Sequence, residues 1–147
     1  MSKYKKISHS IYYCLYHIVW LPKYRYKILE GVIKEFLEEE IRKLSEYKGV
    51  EIIELNVQKD HIHMLVSIPP KISVSEYMGY IKGKTAIKMF QANAWLRKKP
   101  YWGNHFWARG YFVSTVGLEE EVIRKYIKYQ EDEEKKIEEN QNNFSLF

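Results

Sequence analysis

The run Asp60-His61-Ile62-His63-Met64-Leu65-Val66-Ser67-Ile68 constrains this chain more than any other stretch. Its apolar residues Ile62, Met64, Val66 and Ile68 recur at every second position. That is the period of a β-strand, whose side chains alternate between two faces. One face is thereby committed to a core. His61 and His63 project from the other, with Cα atoms about 6–7 Å apart. Two imidazoles at that spacing can converge on one divalent metal ion. The same pattern also describes two polar residues on a solvated face, and the short motif alone does not decide between them. Either way, the strand belongs in a sheet with one covered face and one open face.

The rest of the chain supplies elements that can cover such a sheet. Residues 10–20 are rich in β-formers and apolar on both faces, as a central strand requires. A basic, aromatic loop follows, in which Lys23, Arg25 and Lys27 alternate with Tyr24 and Tyr26. Helical spacing of Leu29, Ile33, Phe36, Leu37, Ile41 and Leu44 predicts a helix over about 29–48, with Glu38 to Glu40 mostly outside and Gly49 as its stop. Residues 50–58 read as a strand with Ile53, Leu55 and Val57 on one face. Gln58-Lys59-Asp60 turns the chain into the histidine strand, 61–68, which Pro69-Pro70 ends. Ser73-Val74-Ser75-Glu76 has capping-box spacing and opens a second helix over about 74–92.

Residues 105–114 are expected to form a fourth strand, with His105, Trp107, Arg109, Tyr111 and Val113 on a shared face. A last helix is expected over about 119–140, its first turn carrying Glu119, Glu120 and Glu121. The order β-α-β-β-α-β plus a helix is that of an α+β, ferredoxin-like (RRM-like) sandwich with an added C-terminal helix. Its length of 147 residues suits one domain spanning 1–147.

The last helix holds the second half of a candidate site. At 100° per residue, Val122, Ile123, Tyr126, Gln130 and Ile137 fall in one stripe. A glutamine in an apolar stripe needs partners for its amide, and a metal ion would satisfy its oxygen. Tyr126, one turn away, would sit beside the same ion; otherwise it is a core tyrosine. Tyr129 projects about 100° away from Gln130 and is a poorer candidate. Two histidines, one amide and one tyrosine together suggest metal-assisted phosphoryl transfer through a covalent phosphotyrosine. Such an intermediate conserves the phosphodiester energy, so a cut strand can be rejoined without ATP.

Charge and cysteine usage bound the setting. Net charge is +5, yet residues 131–139 carry a net −4, which leaves +9 on the remainder and points to a polyanion partner. A single cysteine, Cys14, excludes an internal disulfide and suits a reducing cytoplasm. No run reaches the roughly 18–20 apolar residues of a membrane helix, so no membrane partner is expected.

Five segments in order resemble the small single-tyrosine HUH transposases of the insertion sequence 200/605 group. They are His17-Ile18-Val19-Trp20-Leu21-Pro22-Lys23-Tyr24-Arg25, Asp60 to Val66, Ser75 to Lys84, His105-Phe106-Trp107-Ala108-Arg109-Gly110-Tyr111, and Arg124-Lys125-Tyr126-Ile127-Lys128-Tyr129-Gln130. The resemblance implies a homodimeric enzyme that cuts and rejoins single-stranded DNA at hairpin-marked ends of a mobile element. It implies His61, His63 and Gln130 as ligands of Mg²⁺ or Mn²⁺, and Tyr126 as the nucleophile that becomes linked to a 5′ phosphate. It further implies that the nucleophile helix can serve the partner's histidine pair. Lys82, Lys84 and Lys88, with Lys23, Arg25 and Arg109, are then the candidates for DNA contact. A replication or relaxase-type HUH nuclease, a non-catalytic RRM-like nucleic-acid module and a transposase that binds without cutting are the competing readings.

Overall fold

The computed structural model describes residues 5–7, 10–98 and 105–117, together with 132, 135–137 and 139–140. The chain divides into two compact units, Met1–Val116 and Gly117–Phe147. In the second unit the described residues 132, 135–137 and 139–140 are helical and exposed. They fall within the expected last helix. Its remaining positions, Tyr126, Tyr129 and Gln130 among them, lie outside the described residues.

In the first unit, β1 (Lys5–Ile7) and β2 (Ser10–Tyr12) form an antiparallel pair. Four further strands make the main sheet: β3 (Leu15–Trp20), β4 (Glu51–Gln58), β5 (His61–Ser67) and β6 (Phe112–Thr115), in the order β4-β5-β3-β6. Every neighbouring pair is antiparallel. β3 and β4 therefore run parallel, with β5 between them, which is the split βαβ arrangement. Helices α1 (Gly31–Tyr47) and α2 (Val74–Ala92) connect β3 to β4 and β5 toward β6.

One face of the sheet is buried. Ile18 and Trp20 of β3, Val57 of β4, and Ile62, Met64 and Val66 of β5 form a single core with Ile33, Leu37, Ile41 and Leu44 of α1 and Tyr77, Met78, Ile81, Met89 and Phe90 of α2. The histidine strand behaves as its alternation requires, with Ile62, Met64 and Val66 fully buried. α1 ends where Gly49 takes φ +71°. Gly49 N–H bonds Glu46 O at 3.0 Å and Val50 N–H bonds Ser45 O at 2.9 Å, the paired bonds of a Schellman stop. α2 starts on Ser73, whose Oγ accepts the Glu76 N–H at 3.0 Å.

Four sequence expectations need correction. Residues 10–20 are two strands: the first part pairs with β1, the second with β5 and β6, and the chain changes partner at Tyr13-Cys14. In β4 the register shifts between Ile52 and Glu54, so Ile52, Leu55 and Val57 pack toward the core and Ile53 is exposed. Glu40 is buried between the helices, where Lys88 Nζ lies 2.9 Å and Lys43 Nζ 3.9 Å from its carboxylate oxygens. The Lys88 contact is an ion pair without hydrogen-bond geometry.

The fourth strand is short. Residues 105–111 form a loop in which the adjacent Phe106 and Trp107 are both buried, so they do not alternate. Trp107 Nε1–H donates to Thr85 Oγ1 at 2.9 Å, and Lys82 Nζ donates to Ala108 O and Gly110 O at 2.8 Å each. These bonds to α2, with Gly110 at φ +80°, divert the backbone until Phe112.

Candidate active site

The open face of the sheet collects residues from all four strands. Cross-strand partners share a face, and the register sets Val19 of β3 opposite both His63 of β5 and Phe112 of β6. His17 and Leu65 stand opposite each other on the same face, and His61 continues it beside Gln58 of β4. The two histidines expected to act together thus lie on one half-buried surface, backed by the core residues Ile62 and Met64.

The hairpin that leads into His61 is held from outside. Lys59 and Asp60 form its two-residue turn, and neither has a positive φ. It therefore lacks the mirror-image turns that match strand twist. Instead, the Leu29 N–H binds Lys59 O at 2.9 Å, and Arg25 reaches Asp60.

Asp60 is the pivot of this corner. Its Oδ1 lies 2.8 Å from His61 Nδ1, and its Oδ2 accepts the Arg25 Nε–H at 3.0 Å. The bond from His61, with help from Arg25, holds the Asp60 carboxyl below the usual carboxylate range against the opposing effect of desolvation. With Nδ1 bound to a carboxylate, His61 keeps Nε2 as the ring nitrogen available to a ligand. A carboxylate behind an imidazole is the arrangement that orients metal-binding histidines.

His17 was not among the expected site residues. Its Nδ1 lies 3.2 Å from His63 Nε2, and the two rings stack with centroids 5.4 Å apart. Alternation against Ile18 and Trp20 puts His17 on the open face, but only the β3–β5 register brings it to His63. The sequence marks Asp60 only as a turn residue. Its position directly before His61 was the available signal.

The approach to Asp60 is strained. Tyr24 and Arg25 adopt φ 57° and 55°, two successive left-handed conformations without glycine. Each costs on the order of 1–3 kcal/mol and persists only where the surroundings enforce it. Here the Lys23 N–H binds Phe106 O at 2.9 Å and Pro22 bridges Trp107, so the loop is fastened to the 105–111 segment at its root.

The expected DNA-contacting residues divide by environment. Lys84, Arg25 and Arg109 are exposed and Lys23 is half-buried. Lys82 is engaged with the two loop carbonyls, and desolvation lowers its pKa. Lys88 faces Glu40. Beside Val19, a groove of about 390 Å³ is lined by Leu21, Arg109, Tyr111 and Phe112 among others. Phe112 is 61% exposed.

The donor set suits a divalent ion that needs further ligands. Among the described residues no group of three or more His, Cys, Asp or Glu is placed to hold an ion. Two imidazoles alone leave most coordination positions of such an ion unfilled. No described helix is long and apolar enough to cross a membrane.

A ferredoxin-like sheet with a histidine pair on its open face now meets its relatives. Residues 10–130 match the family described as "Transposase IS200 like". The chain is 44% identical over 135 residues to the transposase for insertion sequence element IS200 of Salmonella typhimurium, covering 92% of this chain and 88% of that one. It is 34% identical over 131 residues to the ISDra2 transposase TnpA of Deinococcus radiodurans, covering 88% and 93%. A crystal structure described as a transposase of Deinococcus radiodurans R1 superposes with a TM-score of 0.70 at 28% identity, covering 87% of this chain and 96% of that one. A REP-associated tyrosine transposase bound to a REP hairpin shares the fold, with a TM-score of 0.53 at 16% identity over 85% and 68% of the two chains. This chain belongs to the IS200-like transposase family. It is accordingly an enzyme of DNA strand cleavage and transfer.

Proposed function

We propose that this transposase cuts and rejoins single-stranded DNA at hairpin-marked ends of an insertion sequence, with Tyr126 as nucleophile and His61, His63 and Gln130 holding Mg²⁺ or Mn²⁺. The observation that carries this reading is the pair His61 and His63 on one open sheet face, with His61 oriented by Asp60. The Tyr126 oxygen attacks phosphorus, its proton departs, and a bond forms to the 5′ phosphate. The bond to the 3′ oxygen breaks, and that oxygen takes up a proton. Attack by the 3′ hydroxyl of another strand reverses the step and frees the tyrosine. When bound, the ion offsets charge on the non-bridging oxygens. Hairpin recognition draws support from the hairpin-bound relative of the same fold.

The same reading includes a homodimer with shared sites in the cytoplasm. β6 pairs with β3 alone among the described strands, and its other edge is where a second sheet would join in such a dimer. The RRM-like alternative is less well supported. Such modules stack bases on aromatics of the central strands. Here the central strands β3 and β5 present His17, Val19, His61, His63 and Leu65 on that face.

The test is a covalent adduct. Incubation with a single-stranded oligonucleotide spanning an element end gives a denaturant-resistant protein–DNA species. Tyr126→Phe abolishes it while hairpin binding persists, and Tyr129→Phe leaves it intact. The reverse result would move the nucleophile to Tyr129.

A further inference from the structure

Arg25 uses only part of its guanidinium within the protein. Nε donates to Asp60 Oδ2 at 3.0 Å, and no other partner is found among the described residues. The side chain is 72% exposed, whereas that of Asp60 is 19% exposed. The forked Nη edge therefore faces solvent while the Nε edge faces a carboxylate already bound to His61. An arginine fork matches two phosphate oxygens, which a lysine ammonium cannot do.

The backbone reinforces this geometry. Arg25 occupies a left-handed conformation directly after Tyr24 does the same. The loop is fixed at its root through Lys23 and Pro22, and Arg25 N–H binds Pro22 O at 2.9 Å. An exposed ion pair would not need such a conformation. Strained residues gather where a side chain must be aimed. Here the aim is along the line from solvent through Asp60 to His61.

We infer that Arg25 is a two-ended positioning residue. Its Nε edge fixes the ring of His61 through Asp60, and its Nη edge seats a backbone phosphate of the single-stranded substrate. This rests on the proposed metal role of His61 and His63. It adds that one side chain, outside the ligand set, links the grip on DNA to the orientation of a ligand. Removing either end has its own signature. Loss of a partner behind a metal-binding histidine typically weakens metal affinity 10–100-fold. Loss of one phosphate contact to single-stranded DNA lowers the slope of log affinity against log salt by about 0.7.

Two measurements on the full chain separate these ends. Mn²⁺ affinity is read from the free-ion electron paramagnetic resonance signal in the absence of DNA. The salt slope is read by fluorescence anisotropy of labelled dT20 with chelator present. Arg25→Ala is expected to lose both about tenfold in Mn²⁺ affinity and about 0.7 in slope. Asp60→Asn should lose Mn²⁺ affinity and keep the slope. Arg25→Lys, whose single ammonium can serve one end at a time, should recover at most one of the two. Lys27→Ala, an exposed charge in the same loop, should leave Mn²⁺ affinity unchanged. Circular dichroism establishes that each variant is folded, and Arg25→Lys carries the test if Arg25→Ala is not.

Wild-type protein that does not bind Mn²⁺ would reject the underlying metal reading. Wild-type binding with no loss in Arg25→Ala or Arg25→Lys would reject the inference alone. Full recovery of both properties by Arg25→Lys would also overturn it, because a fork would then be unnecessary.

Discussion

His17 Nδ1 lies 3.2 Å from His63 Nε2, although 46 residues separate the two in sequence. One imidazole must donate to the other, so His17 restricts both the ring angle and the tautomer of His63. His17→Ala is expected to slow oligonucleotide cleavage by roughly 10–100-fold. Hairpin affinity in chelator should stay unchanged, since no phosphate contact is removed. Unchanged cleavage would reduce the stacked pair to a packing contact.

The basic residues of α2 should separate by phenotype. Lys84 is exposed, and Lys84→Ala should lower the salt slope of hairpin binding by about 0.7–0.9 without changing stability. Among the described residues, Lys88→Ala leaves the buried Glu40 with only the more distant Lys43, and should destabilise the fold by about 1–2 kcal/mol after solvent screening. Lys82→Ala frees the carbonyls of Ala108 and Gly110, and should lower the melting temperature. Urea titration and anisotropy on the same three proteins check this division. Identical salt effects from all three would contradict it.

Tyr77 makes stability depend on alkaline pH. Its hydroxyl lies 2.6 Å from Ser45 Oγ between α1 and α2, and burial pushes its pKa up from 10.0 to about 12. Below pH 10 the tyrosine is neutral in both states and its contribution is complete. Between pH 10 and 12 the unfolded chain ionises first, so stability falls by up to about 3 kcal/mol. Tyr77→Phe removes that component. Urea midpoints at pH 8, 10 and 12 should fall more steeply for the wild type than for the variant. Parallel curves would show that Tyr77 does not contribute to alkaline unfolding.

The shared-site proposal predicts complementation. His63→Ala and Tyr126→Phe homodimers should each be inactive. Mixed with subunit exchange verified, they should regain cleavage, because one site then combines intact histidines from one chain with an intact tyrosine from the other. A mixture that stays inactive favours a site built within each chain.

Much of this architecture is legible in the residues. The alternation of Ile62, Met64 and Val66 defines the histidine strand. The stripe from Leu29 to Leu44 defines α1, Gly49 its end, and Ser73 the start of α2. Local rules suffice there because each signal lies within a few residues of what it controls. The site is legible only in part. Alternation puts His61 and His63 on one face, but the encounter of His17 with His63 depends on strand register. The Arg25–Asp60 bond depends on left-handed backbone at Tyr24 and Arg25, a conformation that neither tyrosine nor arginine prefers. Trp107 misled the strand assignment because its indole bonds Thr85 on α2, a partner that no periodicity reveals.

The sheet order has a consequence for how the molecule is made. β5 meets β4 across a two-residue turn, while β6 meets β3 only after nearly the whole first unit has been synthesised. Local pairings form before distant ones, since little chain entropy is lost in closing them. On an emerging chain the histidine hairpin can therefore exist while β3 still lacks its second neighbour. The last described strand takes its place beside β3 and precedes the region that holds Tyr126. Synthesis would thus supply the histidines first and the proposed nucleophile last.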